Sequence, residues 1–217
     1  MMDITTVIIN FQTPGLLKVA VNSFKTFYPD TKLLLIDNGS KDDGISKSMI
    51  EDLSSKHKDT EAVLLENNIF HGPAMDKAIR EHIDSKYTFF LDSDTETVQG
   101  GFLEKMVEML SLSDHNYGVG EIIKANKRGY KAEDGEDMLL TPYMMIDNEI
   151  YKGLKPFIHH GQPTIYNFID ARKKGYKLEK FEVSAYINHL WRGTASKFGY
   201  GLGIKGKIDF ILNKLGI

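Results

Sequence analysis

The sequence predicts an α/β fold, a mostly parallel central sheet flanked by helices, and three observations carry that prediction. Short apolar runs of strand length alternate with amphipathic stretches of helix length along the first half of the chain. Several of the runs are bulky and unpunctuated, as in Thr88 to Leu91, which is the pattern of strands covered on both faces of a parallel sheet. That run ends abruptly in Asp92-Ser93-Asp94. In open α/β sheets ligands bind at the carboxyl edge of the strands. Carboxylates at i and i+2 there can share one hard divalent cation, which neutralises a diphosphate. An isolated Asp-x-Asp more often caps the following helix; its place after a buried strand is what argues for a site.

The elements follow in order. Thr5 to Phe11 is rich in β-branched residues and reads as the first strand. Pro14 then suits the first turn of an amphipathic helix that runs through Phe27. Lys32 to Ile36 is the second strand, and it enters Asp37-Asn38-Gly39-Ser40. A helix over Ile45 to His57 follows, with Ile45, Met49, Ile50 and Leu53 on one face. Ala62 to Leu65 reads as a third strand, Asn67 to Gly72 as a loop and Pro73 to Ile83 as a helix opened by its proline. The strand at Tyr87 is the fourth. This rhythm predicts right-handed βαβ units. Gly100-Gly101 breaks the chain before a helix over Phe102 to Leu112.

The second half is less regular. Val119 to Lys124 reads as a strand, and Ala125 to Asp137, polar and carrying Gly129 and Gly135, as a loop or hairpin. Apolar pieces surround Pro142 between Leu139 and Ile150. Pro163 to Lys174 reads as a helix with Gly175 at its C-cap, and Tyr176 to Asn188 as one strand or two.

Composition bounds the function. At 217 residues and 41% hydrophobic content the chain can bury one substantial core. A net charge of −3 gives no electrostatic footprint for nucleic acid. Cysteine is absent, so any metal must be held by oxygen or imidazole. Met1-Met2-Asp3 lacks the basic region of a signal peptide, and no run approaches the ~18 apolar residues of a membrane span, so a cytoplasmic setting is expected.

Four segments taken together resemble the family-2-like glycosyltransferases of the GT-A fold, over about residues 4 to 190. Thr6 to Pro14 is similar to that family's first strand, V-I-I-P-x-Y-N, with Asn10 standing for the proline, Phe11 for the aromatic residue and Gln12 for the asparagine. Leu35 to Ser40 resembles its V-D-N-G-S turn, in which the aspartate hydrogen-bonds the nucleotide base; Asp37 takes that position. Asn67 to Ala78 resembles N-x-G-x-x-x-A-x-N-x-G, with Asp76 where asparagine is common, and Phe90 to Asp94 matches the D-x-D site.

The resemblance implies a GT-A, Rossmann-like domain over 1–195, with a nucleotide-binding half at 1–112 and an acceptor half at 113–195. It implies transfer of a sugar from a nucleotide-diphosphate donor, a UDP-sugar being favoured, to a saccharide, lipid or protein hydroxyl. Phe11, Asp37, Asp76, Asp92 and Ser93 would bind the donor, and Asp92 and Asp94 would hold Mn²⁺ or Mg²⁺. His189, in Tyr186 to Gly193, would complete the coordination as related enzymes place a histidine after the last strands; a satisfied structural histidine is the other reading. Trp191 and Arg192 could cover the sugar and pair with phosphate.

One departure concerns catalysis. Inverting relatives carry an acidic pair before the helix that here ends at Gly175, whereas this chain has His159-His160-Gly161-Gln162-Pro163, and neither Gln162 nor Pro163 can accept a proton. Either His159 or His160 serves as base, with His160 preferred beside Asp94 as a catalytic residue, or the enzyme retains configuration, or catalysis is impaired. The acidic loop Glu133 to Asp137 is another source of carboxylates, read here as solvated. A sugar nucleotidyltransferase is the alternative enzyme class, disfavoured because Asn10 to Pro14 holds no glycine and no basic residue to cradle phosphate. A nucleotide-sugar-binding module that has lost its base is the non-enzymatic alternative.

Residues 196–217 comprise a glycine-rich segment and an amphipathic helix with Ile204, Ile208, Ile211, Leu212 and Leu215 on one face. That face is suited to docking on the domain or on a second subunit in a homodimer, or to peripheral contact with a membrane.

Overall fold

The computed structural model of the chain describes residues 2–126, 132–158 and 162–190. Strands β1 (Ile4–Asn10), β2 (Lys32–Asp37), β3 (Thr60–Leu64) and β4 (Tyr87–Leu91) all run in parallel, in the order β3-β2-β1-β4. Beyond β4 the seven-stranded sheet continues with β7 (Glu136–Asp147), β6 (Asn116–Ala125) and β8 (Lys177–Lys180); β7 alone runs against the rest. A separate two-stranded sheet pairs β5 (Thr95–Thr97) with β9 (Ile187–His189), antiparallel.

Alternate residues of the central strands feed two cores. From β1 and β4, Ile4, Ile8, Tyr87, Phe89 and Leu91 pack among Leu17, Val21 and Phe24 of α1 (Pro14–Phe27), Ile50 and Leu53 of α2 (Ile45–Lys56), and Phe102, Leu103 and Met106 of α4 (Phe102–Ser111). Val7, Ile9 and Phe90 pack on the opposite face. Their partners are Ala74 and Met75 of α3 (His71–Lys77), Tyr151 of the short α5 (Asn148–Lys152), and Ile165 and Phe168 of α6 (Ile165–Lys173). Both faces of β1 and β4 are therefore dry, and this is why those strands read as unbroken apolar runs.

Most expected elements are present within a residue or two. Three differ. The helix expected over Pro73 to Ile83 begins at His71 and gives way after Lys77 to a wider π-type turn over Ala78–His82. The pieces around Pro142 belong to one twelve-residue strand, β7. Pro142 has no N–H to give the ladder, and the register jumps there: Gly120 faces Met144 while Ile122 faces Leu139. The carbonyl of Pro142 instead accepts the N–H of Asp92 at 2.9 Å. β5, too short and polar to signal itself, was not anticipated. The expected helix at 204–217 lies outside the described residues, and among those that are described no helix is long and apolar enough to cross a membrane.

Phe89 is fully buried, with its ring centroid 5.4 Å from that of Phe102. Truncating Phe89→Ala should cost about 3 to 5 kcal/mol, read as a lowered denaturant midpoint at unchanged slope.

Candidate active site

β2 and β4 flank β1, so the residues that end them meet at one edge of the sheet. Asp37, the last residue of β2, is buried and faces Asn10 in register. Its carboxylate accepts from Asn10 Nδ2 at 3.2 Å, Ser40 Oγ at 2.6 Å and the Ser40 backbone N–H at 3.0 Å. Asn10 is fully buried, and its amide oxygen accepts from both the N–H and the hydroxyl of Thr13. Thr13 Oγ1 lies 3.4 Å from Ser93 Oγ, between the two aspartates. A continuous polar chain thus links Asp37 to the Asp-Ser-Asp segment. The residue that departs from the family's proline, Asn10, is its central link.

The turn after Asp37 is locked against the next loop. Gly39 has φ +71°, and a Cβ there would lie 2.2 Å from the carbonyl carbon of Asn67. Asn38 donates to Asn68 Oδ1 at 3.1 Å and accepts from Ile69 N–H at 3.0 Å. Phe11 is half-buried at the end of β1.

Asp92 and Asp94 follow β4 directly. The pairing of Thr95 with His189 in the small sheet, closed by the Leu190 N–H on the Asp94 carbonyl at 2.9 Å, brings His189 to them across 95 positions of sequence. His189 Nε2 is 3.0 Å from Asp94 Oδ1, and the ring meets Tyr143 edge-on at 6.1 Å between centroids. One ligand atom from each of Asp92, Asp94 and His189 lies within 4.8 Å of the others.

Two carboxylates so close repel one another. Burial, reinforced by the charge of Asp94, pushes Asp92 up to about 7, with His189 pulling the other way. Burial lowers His189, but the hydrogen bond to Asp94 and the charges of Asp94 and Asp92 outweigh it, and the net displacement is upward. Two oxygens and an imidazole nitrogen whose mutual strain a dication would relieve are a donor set that fits Mn²⁺, and Mg²⁺ less well because of the nitrogen.

The remaining expected residues divide. Asp76 is turned to other partners: Oδ1 accepts from Tyr151 Oη at 2.6 Å and Arg80 Nε at 2.8 Å. His159, His160, Trp191 and Arg192 lie outside the described residues. Gln162 is half-buried and Pro163 is buried just before α6. His71, at the start of α3, was not singled out from sequence, and its Nε2 is 3.8 Å from Asp92 Oδ1. Desolvation of its imidazole pushes it down to about 4, although 26% of the side chain remains exposed.

The family model described as "Glycosyl transferase family 2" matches residues 5–178. The chain belongs to glycosyl transferase family 2. No curated protein matches it in sequence. Among solved structures it is similar to the mannosyltransferase PcManGT from Pyrobaculum calidifontis in complex with GDP-Man and Mn²⁺, with a TM-score of 0.64 at 14% identity over 83% of this chain and 55% of that one. It is also similar to S. aureus TarS 1-349, with a TM-score of 0.58 at 13% identity over 86% of this chain and 60% of that one. The complex of TarS 1-349 with UDP-GlcNAc gives 0.57 at 14% identity, over 89% of this chain and 61% of that one. These likenesses establish the GT-A fold, and the chain spans between 55% and 61% of the length of these structures.

Two outcomes are expected from this geometry. Gly39→Ala forces both a disfavoured φ and a clash with backbone; it should destabilise the domain by about 2 kcal/mol or more, seen in thermal melts. Asp92 has the second. The folded protein holds a proton that the unfolded chain releases near 3.8, so in EDTA native stability should fall as pH rises from about 4 to about 7. Asp92→Asn removes that loss. It should melt with the wild type at pH 4 and above it at pH 8, by on the order of 2 kcal/mol once solvent contact at the carboxylate is allowed for.

Proposed function

We propose that the protein is a metal-dependent glycosyltransferase that moves a sugar from a nucleotide-diphosphate donor to a hydroxyl group. The observation that carries this reading is the convergence of Asp92, Asp94 and His189 at the carboxyl edge of the sheet, tied through Ser93, Thr13 and Asn10 to the buried Asp37. Family membership supports it, as does the likeness to structures described with GDP-Man and Mn²⁺ and with UDP-GlcNAc.

In this reading the two halves of the site do different work. Asp37 is oriented by three donors and keeps acceptor capacity for a base N–H, with half-buried Phe11 beside it as an apolar wall for the nucleoside. Asp92, Asp94 and His189 would hold Mn²⁺, or Mg²⁺, which when bound supplies positive charge to the diphosphate and to the leaving nucleoside diphosphate. Ser93, between the two aspartates in sequence, sets its hydroxyl 3.4 Å from that of Thr13 and is assigned to the donor. His160 is assigned as the base that takes the acceptor's proton, because Gln162 and Pro163 offer none. Residues 113–195 are assigned to the acceptor, a saccharide, lipid or protein hydroxyl. The resemblance to the family favours a UDP-sugar. A cytoplasmic setting accords with such donors, with residues 204–217 available for a membrane or a second subunit.

Calorimetric titration with UDP and with GDP, with and without Mn²⁺, tests the reading. Nucleotide binding should require Mn²⁺ and weaken at least about tenfold in Asp94→Asn, which keeps the shape of the side chain and removes its charge. Binding indifferent to both the metal and the substitution would overturn it.

A further inference from the structure

His71 lies outside the cluster of Asp92, Asp94 and His189, and the backbone that precedes it is held in an unusual conformation. It is the first residue of α3, and the residue before it, Phe70, has φ +71° and ψ 165°. That region of backbone space is essentially reserved for glycine, and a side chain held there costs about 1 to 3 kcal/mol unless its surroundings enforce it. Here they do. The N–H of Phe70 donates to Asn68 Oδ1 at 2.8 Å, and its carbonyl accepts the N–H of Ala74 at 3.1 Å. Asn68 is itself held by Asn38 in the turn that follows Asp37. The strain is thus maintained by a latch to the nucleotide side of the site. Phe70 is the residue immediately before α3, and the His71 ring that follows it lies beside Asp92, Nε2 to Oδ1 3.8 Å.

That separation is about 1 Å longer than an N–H···O hydrogen bond. The last torsion of aspartate is broad, so the Asp92 carboxylate is free to turn toward the ring. We propose that His71 is a positioning residue for Asp92, donating its Nε2–H to Oδ1 and so presenting the other oxygen to a divalent cation shared with Asp94 and His189. The inference rests on the reading of that cluster as a cation site. An imidazole N–H suits the role, since outer hydrogen bonds to metal-binding carboxylates generally fix their orientation. The latch through Asn38 and Asn68 gives the arrangement a further consequence, since the turn carrying Asp37 and the orientation of Asp92 depend on the same loop.

Mn²⁺ alone, titrated into the full chain and followed by the free-ion EPR signal, tests this with four proteins. Wild type should bind and Asp94→Asn should not. His71→Phe keeps an aromatic ring but has no N–H, and should bind about tenfold more weakly; His71→Gln lacks the ring but places an amide donor near the Nε2 position, and should stay within about threefold of wild type. A space-filling role for His71 predicts the reverse order, and equal affinity for wild type and His71→Phe, or equal loss in both variants, overturns the proposal. Melting temperatures in EDTA accompany the titrations, so that a loss of affinity is read only against a folded protein. If wild type itself does not bind Mn²⁺, the cation site falls and the role of His71 with it; if wild type binds and Asp94→Asn does not, the site stands and the two His71 variants alone decide.

Discussion

Two-sided burial of β1, β2 and β4 is the constraint on which the rest of the structure depends. A strand with both faces dry admits only small hydroxyls such as Thr5, Thr6 and Thr88 along its length, so the carboxylates collect where the strand stops. Asp37, Asn10 and Asp92 are each the last residue of such a strand or the first beyond it. Parallel pairing puts those ends side by side. The same burial demands helices on both faces, which separate the strands in sequence and leave their carboxyl ends joined by loops free to carry chemistry.

At that edge the protein tolerates an electrostatic arrangement that no stability argument would select. Asp92 and Asp94 crowd one another within reach of His189, and burial, reinforced by the charge of Asp94, displaces Asp92 upward. Hydrogen bonds hold the backbone that carries the two carboxylates. The Asp92 N–H is fixed to the Pro142 carbonyl, the Thr95 hydroxyl to the Asp92 carbonyl, and the Leu190 N–H to the Asp94 carbonyl. Local destabilisation held in place by secure surroundings is characteristic of sites meant to be completed by a ligand.

Asn10 shows how a departure from a family pattern can be informative in itself. A proline at that position would fix the backbone and donate nothing. The asparagine amide donates to Asp37 and accepts from Thr13, converting the end of β1 from an apolar stop into a hydrogen-bonded bridge between the two halves of the site. Gln12 follows with φ +56°, its N–H on Ser40 Oγ at 2.9 Å, so the whole turn leans on the segment after Asp37. Phe70 is the parallel case on the other loop, a bulky residue where backbone geometry calls for glycine, held by its neighbours.

The order of strands and helices through β4, the burial of β4 and the placing of Asp37 and Asp92 at one edge were legible in sequence, because periodicity and strand-terminal carboxylates report local burial directly. Asp94 beside His189 could be expected only by resemblance, since nothing local in Ile187 to Leu190 announces that a three-residue strand will pair with Thr95 to Thr97. His71 facing Asp92, Asp76 turned to Tyr151 and Arg80, and the irregular register around Pro142 were decided by tertiary packing alone. The physical reason is one of range. The hydrophobic pattern that selects strand or helix acts over a few neighbouring residues. The hydrogen bonds that aim a side chain join segments dozens of positions apart, and they exist only once the sheet has brought those segments together.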